Sequence, residues 1–270
     1  MDITKSKRVV VKVGSSTLTH STGHLNIRRM EGLVKVLSDL QNSGREILLV
    51  TSGSVAVGVG KLGLSKRPSD VPTKQACAAI GQCELMYLYD RYFSEYNHIV
   101  SQVLLTPDVM DHEERKANVY NTFTKLISLG SIPIINENDT VSFEEINKIE
   151  TFGDNDNLSA LVSGLVHADL LVILTDIDGL YDKDPKKNPD AKLIPIVKDI
   201  TDDIMQSAGG KGSELGTGGM ITKLQAAKKA QESGVDTVII CGSRPENLYD
   251  LFDGKQIGTR FICDKKKARI

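Results

Sequence analysis

The sequence predicts an α/β protein: a central, mostly parallel sheet covered by helices on both faces. Three observations predict it. Short runs rich in Val, Ile and Leu recur along the chain, helix-like stretches lie between them, and glycines stand just past several of those stretches. The apolar runs fall at residues 8–13, 46–51, 99–105, 132–136, 170–175 and 237–241. Most are apolar at odd and even positions alike, the pattern of a strand buried on both faces. The helix-like stretches fall at 26–42, 73–96, 114–129, 155–167 and 219–233, and Gly44, Gly130 and Gly234 close three of them. Alternating strands and helices build a parallel sheet, whose ligands sit beyond the carboxyl ends of the strands. The functional residues are therefore expected in the loops at 14–19, 52–54, 137–156, 176–184 and 209–219. The stretch 140–152, with Glu144, Glu145 and Glu150, reads as a surface excursion within one domain of two lobes rather than as a linker.

Composition narrows the function classes. The chain has 270 residues, 40 % hydrophobic and 25 % charged, an ordinary globular makeup. Its 33 Lys+Arg against 35 Asp+Glu give a formal charge of −2, which argues against a nucleic-acid or membrane surface, so any anion must be held by local groups. The apolar runs fall far short of the roughly 20 residues that cross a bilayer. The opening MDITKSKRVVVKVG lacks the apolar stretch of a signal peptide, so a cytoplasmic protein is expected. Cys77, Cys83, Cys241 and Cys263 form no CxxC pair and read as free thiols. The histidines, at 20, 24, 98, 112 and 167, are too scattered for a zinc site or a serine–histidine triad.

Five segments carry chemistry. KVGSST, residues 12–17, follows a strand: Gly14 permits a tight turn whose N–H groups approach an anion, and Lys12 can set an ammonium on phosphate oxygens. Taken alone, Lys12 reads as readily as a solvated strand end. LLVTSGSVAVGVGKLG, residues 48–63, contains Gly58, Gly60 and Gly63 in the GxGxxG spacing of dinucleotide sites. Position argues against that reading. The strand-to-helix turn is at Ser52–Ser54, Gly58 follows a helical turn later, and LSKRPSDVP after Gly63 is loop. Ser52 and the backbone at this turn suit a carboxylate, although a simple serine cap fits as well.

NENDT at 136–140 and GDNDN at 153–157 place Asn and Asp groups in neighbouring loops, able to accept from an α-ammonium and donate to an α-carboxylate. An aspartate there can also hold two lysines together. ILTDIDGLYDKDP at 173–185 sets Thr175 and Asp176 at a strand end, with turn chemistry explaining the rest. GTGGMITK at 216–223 is a glycine-rich loop entering a helix, an anion site with Lys223 about one turn in. Walker A, HRD and DFG motifs are absent, so neither the P-loop nor the protein-kinase class applies.

Taken together and in order, KVGSSTLT, LVTSGSVAVG, KQACAAIGQ, INENDTV, GDNDNLSAL, GTGGMITKLQAA and the closing GTRF resemble the amino-acid kinase family from residue 8 to about residue 261. Within it they resemble the members that phosphorylate the γ-carboxylate of L-glutamate in proline biosynthesis. The resemblance implies a three-layer αβα sandwich with an eight-stranded sheet, its N-terminal part mainly for the acceptor and its C-terminal part mainly for the nucleotide. It implies that Lys12 and Lys223 bracket the transferring phosphoryl group and that Asp156 orients them. Ser52, Gly53, Asp139 and Asn155 match the acceptor site. Lys12, Gly14, Thr175, Asp176, Thr217, Gly218, Gly219, Met220, Ile221, Thr222 and Lys223 match the nucleotide site.

The implied substrates are L-glutamate and ATP, with Mg2+ carried on the nucleotide phosphates and no protein metal cage. Also implied are a homo-oligomer, feedback inhibition by proline acting near residues 140–152, and a functional link to glutamyl phosphate reductase. Many members carry a C-terminal PUA module. Here the chain runs to DKKKARI soon after the kinase region, and none is expected. The alternatives are family members acting on N-acetylglutamate, aspartate or a nucleoside monophosphate, and an amino-acid sensor without catalysis.

Overall fold

The computed structural model describes residues 2–20, 22, 24–141, 155–185, 187–208 and 219–263. The first strand, β1 (Arg8–Val13), sets the layering. Val9, Val11 and Val13 point into one core and Val10 into another on the opposite face, so Lys12, in step with Val10, projects to the second side. After it come α1 (Ser15–Leu18), α2 (Ile27–Asn42), β2 (Glu46–Val50), α3 (Ser54–Lys61), α4 (Val71–Ser94), β3 (Val100–Leu105), α5 (Glu113–Ser128) and β4 (Ile132–Glu137). The chain continues through α6 (Asn155–Leu165), β5 (Leu170–Thr175), β6 (Ile196–Val197), α7 (Asp202–Ala208), α8 (Met220–Glu232), β7 (Asp236–Cys241), α9 (Asn247–Phe252) and β8 (Thr259–Phe261).

The strands form one eight-stranded sheet in the order β3-β4-β2-β1-β5-β7-β8-β6. Among the described strands only β7 and β8 pair antiparallel. On one face, Met30, Leu33 and Leu37 of α2, Leu85, Tyr89 and Phe93 of α4, and Leu248 of α9 bury the sheet. On the other, Phe123 of α5, Leu158 and Val162 of α6, and Leu224 and Ala227 of α8 do so. The three-layer αβα sandwich expected from the sequence is thus the architecture found.

Local signals act as anticipated. Asn26 caps α2 by accepting from the Arg29 N–H, and Asp70 caps α4 through Thr73. Gly44, Gly130 and Gly234 take φ of 93°, 76° and 78° just past α2, α5 and α8. The GxGxxG spacing has a packing explanation. A Cβ on Gly58 would lie 1.9 Å from the Cys77 carbonyl oxygen, and one on Gly81 only 1.8 Å from that of Ser54. Both glycines let the backbones of α3 and α4 touch. Among the six strand-like runs, the one at 99–105 differs from a fully buried strand: β3 is the sheet edge and is half exposed along most of its length. All four cysteines are free.

Candidate active site

The central strand carries the first site residue. Lys12 pairs in register with Val50 of β2 and Ile173 of β5, one residue before the carboxyl end of β1. The chain then turns at Gly14 into α1, and a Cβ on Gly14 would stand 3.6 Å from the Lys12 Nζ, so the ammonium lies over this turn. Two helices on the same face supply its companions. Asp156 is the second residue of α6, and Lys223 sits in the first turn and a half of α8. Lys12 Nζ lies 2.6 Å from one Asp156 oxygen and Lys223 Nζ 3.1 Å from the other. Thr222 Oγ1 donates to that second oxygen at 3.1 Å.

The three charged groups are almost wholly out of solvent: Asp156 is 0 %, Lys12 3 % and Lys223 7 % exposed. Two ammonium groups share one carboxylate in a poorly solvated place. That arrangement is costly by itself and suits a site that receives an anion. The N-terminus of α8 adds its own positive field there.

On the other side of β1 lies a polar cradle. Gly53 adopts φ of 100°, a left-handed conformation that favours glycine, and opens α3. Ser54 Oγ donates to Asp139 Oδ2 at 2.6 Å. The Asn155 amide Nδ2 faces the Thr51 carbonyl, Ser52 Oγ at 3.1 Å and Asn136 Oδ1 at 2.7 Å. Backbone groups fix how these amides point. The Glu137 N–H can only donate and does so to Asn136 Oδ1, which obliges Asn136 Nδ2 to donate to Gln82 Oε1 at 2.7 Å. The Thr51 carbonyl can only accept, so Asn155 turns its Nδ2 inward and presents its Oδ1 on the opposite side. Below this network the buried Tyr89 hydroxyl shares a hydrogen bond with Thr51 Oγ1, and burial pushes its phenol well above the usual range.

Beyond β5, Thr175 is buried and its Oγ1 donates to Asp176 Oδ1 at 3.1 Å, while Asp176 is exposed. The Thr175 carbonyl accepts from the Gly242 N–H at 2.7 Å, fastening the β5 end to the loop after β7. Gly219 is the N-cap of α8, and Met220, Ile221 and Thr222 are half-buried in its first turn. Thr217 and Gly218 lie outside the described residues, as do Gly153 and residues 142–152.

The structure therefore brings Lys12, Asp156 and Lys223 into contact, and Ser52 with Asn155. It joins Asp139 to Ser54, and sets Thr175 and Asp176 at the neighbouring strand end. Sequence reasoning did not single out Ser54 or Gln82. Gln82 lies in the KQACAAIGQ segment, but a glutamine in a helix carries no local sign of reaching a strand end 54 residues later. Among the described residues no helix is long and apolar enough to cross a membrane.

A doubly wound sheet with two lysines buried on one aspartate at its carboxyl edge defines an α/β protein whose site suits an anion. Comparison with known proteins refines that class. The Amino acid kinase family matches residues 7–242. A "Glutamate 5-kinase" of Clostridium perfringens is 55 % identical over 260 residues, covering 96 % of this chain and 97 % of that protein. One of Enterococcus faecalis is 47 % identical over 258 residues, covering 96 % and 95 %. Among solved structures, isopentenyl phosphate kinase of T. acidophilum has a TM-score of 0.63 at 20 % identity, covering 94 % of this chain and 100 % of that one. Carbamate kinase of Giardia lamblia has a TM-score of 0.64 at 16 % identity, covering 97 % and 100 %. The chain belongs to the amino acid kinase family.

Proposed function

We propose that the protein transfers the γ-phosphoryl group of ATP to the γ-carboxylate of L-glutamate, giving L-glutamyl 5-phosphate and ADP, the first step of proline biosynthesis. The buried Lys12–Asp156–Lys223 cluster carries this reading, because it sets two ammonium groups between the Ser52–Asn155 cradle and the Thr175–α8 edge. The extent and identity of the match to glutamate 5-kinases support glutamate as acceptor.

A carboxylate is ionised at neutral pH and needs no base. One of its oxygens attacks the γ-phosphorus, the bond to the β–γ bridging oxygen breaks, and ADP leaves with that electron pair. The protein's part is alignment and charge neutralisation. In our assignment Lys12 and Lys223 hold the transferring oxygens and Asp156 fixes both ammonium groups. Ser52, Gly53, Asp139 and Asn155 seat glutamate, the Asn155 Oδ1 accepting from its α-ammonium. Gly14, Thr175, Asp176 and the first turn of α8 seat the nucleotide. Mg2+ carried on the ATP phosphates would neutralise part of their charge. Asp156, engaged by two lysines, is not free to take it as a ligand.

The reading extends to one kinase domain acting in the cytoplasm as a homo-oligomer, inhibited by proline and feeding a glutamyl phosphate reductase. The test is trapping of the acyl phosphate as a hydroxamate with ATP and each of L-glutamate, N-acetylglutamate and L-aspartate. Product with glutamate alone is expected, suppressed by proline. No product with glutamate, or preference for another acid, would overturn the assignment.

A further inference from the structure

A second concavity lies away from the lysine cluster, on the α2 face. Its volume is about 700 Å3, and it is bounded by the start of α2 and by the loop between β7 and α9. A space of that size is typical of small-molecule sites. Arg28, Arg29 and Arg244 line it together with His20, against one acidic residue, Glu246. Arg28 and Arg244 make no ion pair among the described residues. Asp250, a carboxylate that feels the Arg244 charge, is held by Lys255 at 2.6 Å.

Two further features point to a ligand. First, Asn26 caps only the Arg29 N–H, so the N–H groups of Ile27 and Arg28, in the first turn of this 16-residue helix, meet no helical carbonyl. Their dipole adds to the arginine charge at one place. Second, the wall also carries apolar groups, and Ile27 is 57 % exposed although it begins a helix whose later apolar residues are buried. Unpaired guanidinium groups beside an uncovered aliphatic side chain match a molecule with a charged head and an apolar body.

We propose that this concavity binds an organic phosphate, its phosphate on Arg28, Arg244 and the α2 N-terminus and its apolar body on Ile27 and Leu25. Planar guanidinium forks take phosphate oxygens in pairs, which favours phosphate over a monovalent anion. The site is wired to the reaction centre. Arg29 reaches from its rim to donate to the Ser16 carbonyl at 3.3 Å, within the turn that follows Gly14. Gly242, at the foot of the β7–α9 loop, packs against Thr17 of the same turn. An occupant that draws Arg29 inward therefore acts on the loop beside Lys12.

The experiment is calorimetric titration of the full chain with phenyl phosphate and with inorganic phosphate at equal ionic strength. Phenyl phosphate is expected to bind the more tightly. Arg28→Gln with Arg244→Gln should weaken both by about tenfold or more while leaving turnover at saturating substrates unchanged. Ile27→Ser should erase the preference for the phenyl ester. Lys223→Ala should leave binding intact. Absence of binding, binding that survives loss of both arginines, or binding abolished by Lys223→Ala, which would locate the ion in the reaction centre, each overturns the proposal.

Discussion

Replacing Asp156 by Asn keeps the shape of the side chain and removes the one charge that two buried lysines share. Lysine–oxygen separations of 2.6 and 3.1 Å correspond to gross attractions of about 6 and 5 kcal/mol at an effective dielectric of about 20. Most of that offsets desolvation, so the net loss follows instead from what remains: two ammonium groups facing each other out of water. Two unit positive charges about 6 Å apart at the same dielectric repel by about 3 kcal/mol, which sets the scale of the loss. Breaking a buried pair by removing one partner costs about 3–5 kcal/mol, in agreement. Asp156→Asn should therefore lower the unfolding free energy by roughly that amount in urea titrations without nucleotide. ATP should stabilise the variant more than the parent, because its phosphates replace part of the missing negative charge. Turnover in the hydroxamate assay should fall by about a hundredfold or more as the ammonium groups lose their fixed position. Parental stability in the absence of ATP, or parental turnover, would refute the idea that this carboxylate organises the site.

Three other substitutions separate the parts of the site from its frame. Lys223→Ala should reduce kcat by about a hundredfold or more, and normal turnover at saturating substrates would remove Lys223 from the mechanism. Gln82→Leu leaves the Asn136 Nδ2 without its acceptor and lets the Asn136 side chain shift from under Asn155, so the KM for glutamate should rise about tenfold with the KM for ATP unchanged. Equal changes in both constants would indicate a merely structural glutamine. Asp236, by contrast, serves stability. Burial alone would raise its carboxyl, but the Arg260 guanidinium at 2.7 Å and the Cys263 N–H at 3.0 Å hold it below its ordinary 3.8. A depressed carboxyl stabilises the fold fully above that value and loses its effect as pH falls through the depressed one. Asp236→Asn should therefore cost about 1–3 kcal/mol at pH 7 and progressively less below pH ~4, as read from unfolding curves. A pH-independent cost would contradict the pairing.

Elements with strong periodicity were legible in the sequence to within a residue or two. β1 and β5 match the expected ranges, and α2 begins just after its capping Asn26. The elements that escaped are those too short to show a period. β6 has two residues and β8 three, and each exists because Arg260 and Phe261 find partners across the sheet. The lysine cluster was legible as loop chemistry, and its meeting on Asp156 was expected only through the family resemblance. Nothing local in KVGSST or GTGGMITK says that their lysines meet on one aspartate, and that convergence rests on the order of β1 and β5 in the sheet and on which face α6 and α8 cover. Gly58 shows the converse, where a spacing that imitates a cofactor motif answers to the Cys77 backbone of a neighbouring helix.

Because β2 and β5 both pair with β1, the roots of the Ser52 loop and the Thr175 edge stand two strand spacings apart, about 10 Å. Hydrogen-bonded strands hardly stretch, so under the proposed assignment the sheet acts as a ruler laid between acceptor and donor. An acid gripped at its α-carbon on one graduation must deliver its far carboxylate to the next. Shortening that acid by one methylene leaves it about 1 Å short, a misplacement that costs on the order of a hundredfold in rate. Chain length would then be measured by the backbone itself, at a position no side-chain substitution can move.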